Sequence, residues 1–260
     1  MKFTAKNRSV QCLNPDNFTV RQRGVTLVEL MVAMTIGLIV VAAVGTIFLG
    51  SRNTYRVQDD NSRLQESGRY AVDILGRNIR EAGYSAVSLT TPAATDLVFS
   101  GTPVTGADGA AGAVDGVTVS YRAPQNAPTG GTRNCGNTVI APGGVVTNAF
   151  TVVGNNLQCN GVVVVDGVEN LQILYGIGTT TQPSAIQYVA SPANRSLVVS
   201  ARVCVLVRSV NNSITTSAQT YQNCAGALGT ASGAAAVTAA ADRRLRRAFT
   251  ATFNLRNRTS

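Results

Sequence analysis

Between Val25 and Ser51 the chain reads VTLVELMVAMTIGLIVVAAVGTIFLGS, 27 residues in which Glu29 is the sole charge. At about 1.5 Å of rise per residue, a helix of this length reaches across a hydrocarbon core of about 30 Å. A secretory signal peptide has a shorter apolar stretch, roughly 7 to 15 residues, closed by a small-residue cleavage site. The run therefore reads as a single membrane-spanning helix. Ahead of it, Lys2, Lys6, Arg8, Arg21 and Arg23 stand against Asp16, five positive charges to one negative. Basic flanks stay on the cytoplasmic side, which places everything after about Ser51 on the far side of the membrane.

The remaining charge is diffuse. Of the net +9, the residues from Val25 onward carry 17 Arg against 12 acids and no Lys, a surplus too mild to indicate nucleic acid by itself. The chain has no His, which removes the usual general base of a Ser or Cys triad and the commonest zinc ligand. It also lacks a GxSxG elbow and a P-loop. No catalytic residue, cofactor or metal site is assigned, and the protein reads as a non-enzyme.

Glu29 is costly inside an apolar helix and needs either a partner or a route to headgroups at the helix end. Its surroundings favour the partner. Arg23-Gly24-Val25-Thr26-Leu27-Val28-Glu29-Leu30 resembles the class III signal of type IV prepilins. The resemblance implies that residues 1–24 are a leader, that a prepilin peptidase cuts between Gly24 and Val25, and that the new Val25 amine is N-methylated. Val25 stands where that family usually has Phe. The resemblance further implies that Glu29, fifth in the mature chain, pairs with the amine of a neighbouring subunit, joining two charges that lipid would otherwise leave unpaired. Cys12 falls in the leader and is left out of the disulfide count.

Residues 52–83 continue the helix. Val57, Leu64, Gly68, Ala71, Leu75, Ile79 and Ala82 form one amphipathic stripe, and Gly83 fits a left-handed cap. A helix from Val25 to Ala82 results, roughly 87 Å if straight. Gly37, Gly45 and Gly50 are its weak points, through either small-residue packing or a hinge. Residues 84–260 read as a β-rich globular domain. Strands are expected at 96–100, 116–122, 150–153, 162–165, 168–177, 186–189, 197–210 and 247–256. The strands at 197–210 and 247–256 alternate clearly, which predicts one face on the helix stripe and one toward solvent. The Gly/Ala stretches 101–116 and 225–241 read as loops.

Cys135, Cys159, Cys204 and Cys224 allow three pairings, of which the local ones, Cys135 with Cys159 and Cys204 with Cys224, are preferred. Each closes a loop worth on the order of 3 kcal/mol and suits an oxidising compartment. A metal site is disfavoured because no CxxC pair or His is present.

The stretch Val165-Asp166-Gly167-Val168-Glu169-Asn170-Leu171-Gln172-Ile173-Leu174-Tyr175-Gly176 and the ending from Arg243 to Arg258 look like the PilW family of type IV pilus minor pilins. Ser67-Gly68-Arg69-Tyr70-Ala71 and Arg80-Glu81-Ala82-Gly83-Tyr84 are similar to the same family. The fold this implies is α+β and type IV pilin-like: a long N-terminal helix, membrane-spanning in its first half, packed on an antiparallel β-sheet with long loops. The implied protein is a low-abundance subunit of the inner membrane, its C-terminal domain in the periplasm before assembly and at the cell surface in the pilus afterward. It primes assembly with other minor pilins and the major pilin, through the prepilin peptidase and the inner-membrane platform. It sits at or near the tip, where a PilY-type adhesin attaches, and serves twitching motility or adhesion. The alternatives are a J-type pseudopilin of type II secretion and an enzyme that merely shares this anchor. Arg243, Arg244, Arg246 and Arg247 form a run that contacts DNA or, more ordinarily, pairs with nearby acids. Asp166, Glu169 and Asn170 lack the regular oxygen spacing of a calcium loop and fit a turn between strands.

Overall fold

The computed structural model describes residues 24–85, 99–109, 112–125, 131–179 and 184–257. The chain divides into two units, Met1–Ser51 and Arg52–Ser260. In the first, helix α1 (Leu27–Glu81, extending into the second unit) begins two residues after Val25 and passes Gly37, Gly45 and Gly50 without a break. Every residue from Gly24 to Gly50 is exposed in the isolated chain. The hydroxyls of Thr35 and Thr46 donate to Val32 O at 2.9 Å and Ala43 O at 2.8 Å, so the two are satisfied inside the helix, as lipid requires.

The second unit contains the rest of α1 and the elements β1 (Val104–Ala107), β2 (Gly116–Arg122), β3 (Thr132–Arg133), β4 (Val139–Ile140), β5 (Val145–Val153), β6 (Asn156–Cys159), β7 (Val162–Asp166), β8 (Val168–Ile177), β9 (Gln187–Val189), β10 (Val198–Arg208), β11 (Gln219–Gln222), α2 (Cys224–Leu228), β12 (Val237–Ala240) and β13 (Arg246–Asn254). All the strand pairs are antiparallel. Among the described residues they form two main sheets where one was expected, ordered β1-β2-β5-β6-β7 and β13-β10-β8-β9, with two two-stranded sheets, β11-β12 and β3-β4.

The helix stripe is the seam between these sheets. Leu64, Ala71, Leu75, Ile79 and Ala82 are buried in one core with Val117, Val119, Phe150 and Leu157 of the first sheet and Leu171, Ile173, Val203 and Val205 of the second. Each large side chain removed from water contributes about 1.5–3 kcal/mol. Val57 is only half-buried; at that end the buried residue is Asp60, whose carboxylate accepts both contacts of Asn211 Nδ2, at 3.0 and 3.3 Å. Two helix glycines let β13 approach. A Cβ at Gly68 would stand 2.2 Å from the Phe249 ring, and one at Gly76 would stand 2.4 Å from the Phe253 ring. Gly83 has the expected left-handed backbone, φ 73°, and Asn257 Nδ2 donates to Arg80 O at 3.3 Å, covering a carbonyl that the helix end leaves open.

Four expectations from the sequence are not met. The strand at 197–210 is β10, central in its sheet and buried on both faces. On its second face Cys204 and Leu206 pack against Cys224 and Leu228 of α2, and only Arg202 and Arg208 stay half-buried. The stretch 225–241 is therefore no plain loop: it holds most of α2, a short 3-10 turn and β12. The stretch 101–116 likewise contains β1. Of the strand expected at 96–100, residues 96–98 lie outside the described residues and Phe99 and Ser100 are not in a strand.

Candidate functional site

The processing segment belongs to the first unit. Gly24, Val25 and Thr26 are non-helical, and Thr26 ends the irregular stretch as an N-cap: its Oγ1 accepts from Glu29 N at 3.2 Å. Thr26-Leu27-Val28-Glu29 has the Thr-x-x-Glu spacing of a capping box. That signal stands in the sequence and gives Glu29 a place in the helix start, beside the partner and the headgroup route weighed for it above. Glu29 thus sits at the third helical position, in the turn where the helix dipole favours a carboxylate. It makes no ion pair among the described residues, and its side chain is exposed within an apolar helix exposed along the same length. An apolar surface of this kind is covered only by lipid or by other helices.

The remaining candidate residues belong to the second unit. Cys135 is bonded to Cys159, with 5.8 Å between Cα atoms, and Cys204 to Cys224, with 5.6 Å. The first ties the β3-β4 hairpin to β6. Cys135 N also donates to Asn148 Oδ1 at 2.9 Å, and Asn148 Nδ2 donates to Asn78 Oδ1 on α1 at 2.7 Å, so the hairpin is tied through Asn148 to the helix. The second bond holds α2 on β10, and Asn223 caps α2 by accepting from Gly226 N at 2.9 Å.

Of the arginine run, Arg244 and Arg246 are turned inward, while Arg243 and Arg247 stay exposed. Arg246 Nε and Nη2 donate to Glu169 at 2.6 and 2.9 Å, and its Nη1 and Nη2 donate to Asp242 at 2.7 and 2.6 Å. Arg208 Nη1 donates to the same Glu169 at 3.2 Å, and Arg246 stacks over Tyr221. The side chain of Arg246 is 7% exposed. Its hydrogen bonds to Asp242, and next those to Glu169, raise its pKa above the ordinary value, while hydrogen bonding from Arg246 holds the Asp242 carboxyl well below the usual carboxylate range. Arg244 Nη1 donates to Ser209 O at 2.8 Å, Arg243 Nη2 donates to Ser213 Oγ at 3.1 Å, and Arg247 lies over the Phe249 ring. Asp166, Glu169 and Asn170 are not brought together as oxygen ligands. Glu169 serves the two arginines, Asn170 Nδ2 donates to Gly112 O at 2.9 Å, and Asp166 is exposed at the turn into β8.

Two further polar groups were not anticipated. Asp115 accepts from Gly109 N at 2.9 Å and Ile173 N at 2.7 Å, fixing the approach to β2 against β8, with burial pushing its carboxyl upward despite those bonds. Burial likewise pushes Tyr175 up to about 12, so its hydroxyl is neutral at physiological pH.

Residues 146–257 match the family model described as type IV pilus-assembly protein W, PilW. Residues 20–45 match the prokaryotic N-terminal methylation motif. No curated protein matches the chain. Among solved structures, a type IV-like pilin from Thermus thermophilus is similar at a TM-score of 0.45 and 16% identity, over 76% of this chain and 100% of that one.

Proposed function

We propose that this type IV pilin-like chain, with a PilW domain behind an N-terminal methylation motif, is a minor pilin that primes pilus assembly and is built in at or near the filament tip. The observation that carries the reading is the joint occurrence of the two matches in one chain, the motif spanning Gly24, Val25 and Glu29 and the PilW match running from β5 past β13. The exposed apolar half of α1 fits a membrane-anchored pilin that enters the filament. The PilW match supports a pilus over a type II secretion piston.

The mechanism is mechanical and begins with residues 1–24 as leader. The peptidase cuts between Gly24 and Val25, in backbone that the Thr26 cap keeps out of the helix, and the Val25 amine is methylated. The helix then moves from lipid into a bundle of pilin helices. There Glu29 meets a neighbour's amine, so two desolvated charges neutralise each other and fix the axial register. The domain after Arg52, closed by its two disulfides, presents its surface to the other minor pilins, the major pilin and a PilY-type tip adhesin. Within the run from Arg243 to Arg247, Arg246 acts inside the fold and not as a DNA surface, a reading supported by its pairing with Glu169 and Asp242.

Substitution tests this account. Glu29→Ala should be processed and inserted but should fail to restore piliation in a deletion strain; full piliation would refute the charge-pairing role. Gly24→Ala should accumulate at the uncut mass, and normal trimming would refute the prepilin reading.

A further inference from the structure

Strand β13 is the outer strand of its sheet, paired with β10 on one side and with no strand on the other among the described residues. Beside it runs α1, and between them lies a cavity of about 330 Å³. Val72, Phe249 and Phe253 supply its apolar surface, while Arg69, Asp73 and Arg80 edge it. Asp73 already pairs with Arg77 at 2.6 Å. Arg80 lies over the Phe253 ring and Arg247 over the Phe249 ring, 5.1 and 5.6 Å from the centroids. Four arginines against one aspartate leave +3 around one aromatic floor.

Natural edge strands are usually blunted by charge in their middle, by proline or by a covering element. From Ala248 to Asn254 this edge carries no charge and no proline. Its charges are gathered at the entry and on the facing helix, an arrangement that attracts an acidic strand and rejects a basic one.

We infer that this groove takes an extended acidic segment of another polypeptide, which adds to β13 as a further strand. Its backbone pairs with the outward N–H and C=O groups of Ala248 to Asn254, its apolar side chains lie over Phe249 and Phe253, and its carboxylates meet Arg69, Arg80 and Arg247. The inference stands on the groove and is independent of the pilus reading.

The test uses the full chain in detergent micelles and a fluorescent peptide of alternating Glu and Val. The Lys/Val peptide and a single-stranded oligonucleotide serve as comparisons. The Glu/Val peptide should bind, more weakly as salt rises, and the Lys/Val peptide at least about tenfold more weakly. Arg69 and Arg247 are both exposed, so the double variant Arg69→Glu/Arg247→Glu should keep the native near-UV circular dichroism and lose about tenfold in affinity. Bound peptide should slow hydrogen exchange at amides within Ala248 to Asn254. Equal binding of the Lys/Val peptide, an unaffected double variant or unchanged β13 amides would each overturn the inference. Binding of the oligonucleotide alone would give the groove to nucleic acid, and self-association that excludes the peptide would give it to a second copy.

Discussion

Gly68 and Gly76 show how single residues set the geometry of this domain. An alanine in a helix gains up to about 1 kcal/mol over glycine, whereas forcing a methyl into a packed contact costs about 1–3 kcal/mol. With the Phe249 and Phe253 rings inside 2.5 Å of the new Cβ, the second effect wins. Gly68→Ala should therefore lower stability in denaturant titrations of the full chain in detergent, and Phe249→Leu added to it should recover part of the loss. Arg246 is the corresponding polar residue. Arg246→Met preserves much of its volume but leaves Glu169 with Arg208 alone, and should cost about 3 kcal/mol in the same titration. Because Asp242 is held below its ordinary value in the fold, the stability it contributes is complete above about pH 4 and is lost as pH falls further. Asp242→Asn should thus flatten the acid limb of a stability-versus-pH curve, and an unchanged limb would show that the pairing contributes nothing. Gly68 was legible as a member of the stripe because its spacing marks the helix face. The ring it admits was not, since Phe249 lies 181 positions away and no local pattern links them.

The elements were legible wherever a period ran long enough to declare itself. The stripe from Leu64 to Ala82 and the strands β2 and β8 follow directly from their spacing. β3 and β4, two residues each, are too short to carry a period. α2 lies in a Gly/Ala stretch without contrast between faces; it is fixed by the Asn223 cap, a local signal too slight to declare a helix alone, and by the bond of Cys224 to Cys204, which is tertiary. Its presence is why the second face of β10, Arg202 and Arg208 apart, is apolar or small where alternation alone predicts a face toward solvent. The disulfide under it is a direct handle on that packing. Removing it with Cys204→Ala/Cys224→Ala should cost about 3 kcal/mol and expose Leu206, seen as a loss in denaturant midpoint and a gain in dye binding. An unchanged midpoint would mean that the Asn223 cap and the contacts of Leu228 hold α2 without the bond.

For the whole molecule, the sequence carried the broad assignment through two local blocks, the signal around Gly24 and the C-terminal strand pattern, and these are where the family matches fall. The division at Ser51 follows from physical chemistry: an apolar helix with every side chain exposed must be covered by lipid or protein, while the disulfide-closed domain buries its own core. In the proposed mechanism the helix passes from lipid into a bundle of pilin helices after residues 1–24 are removed. Peptide mass spectrometry of sheared, purified surface filaments tests it most directly. The account predicts a methylated peptide beginning at Val25, present at a small fraction of the major subunit. Filaments in abundance without that peptide, while the processed chain is found in the membrane fraction alone, would contradict it.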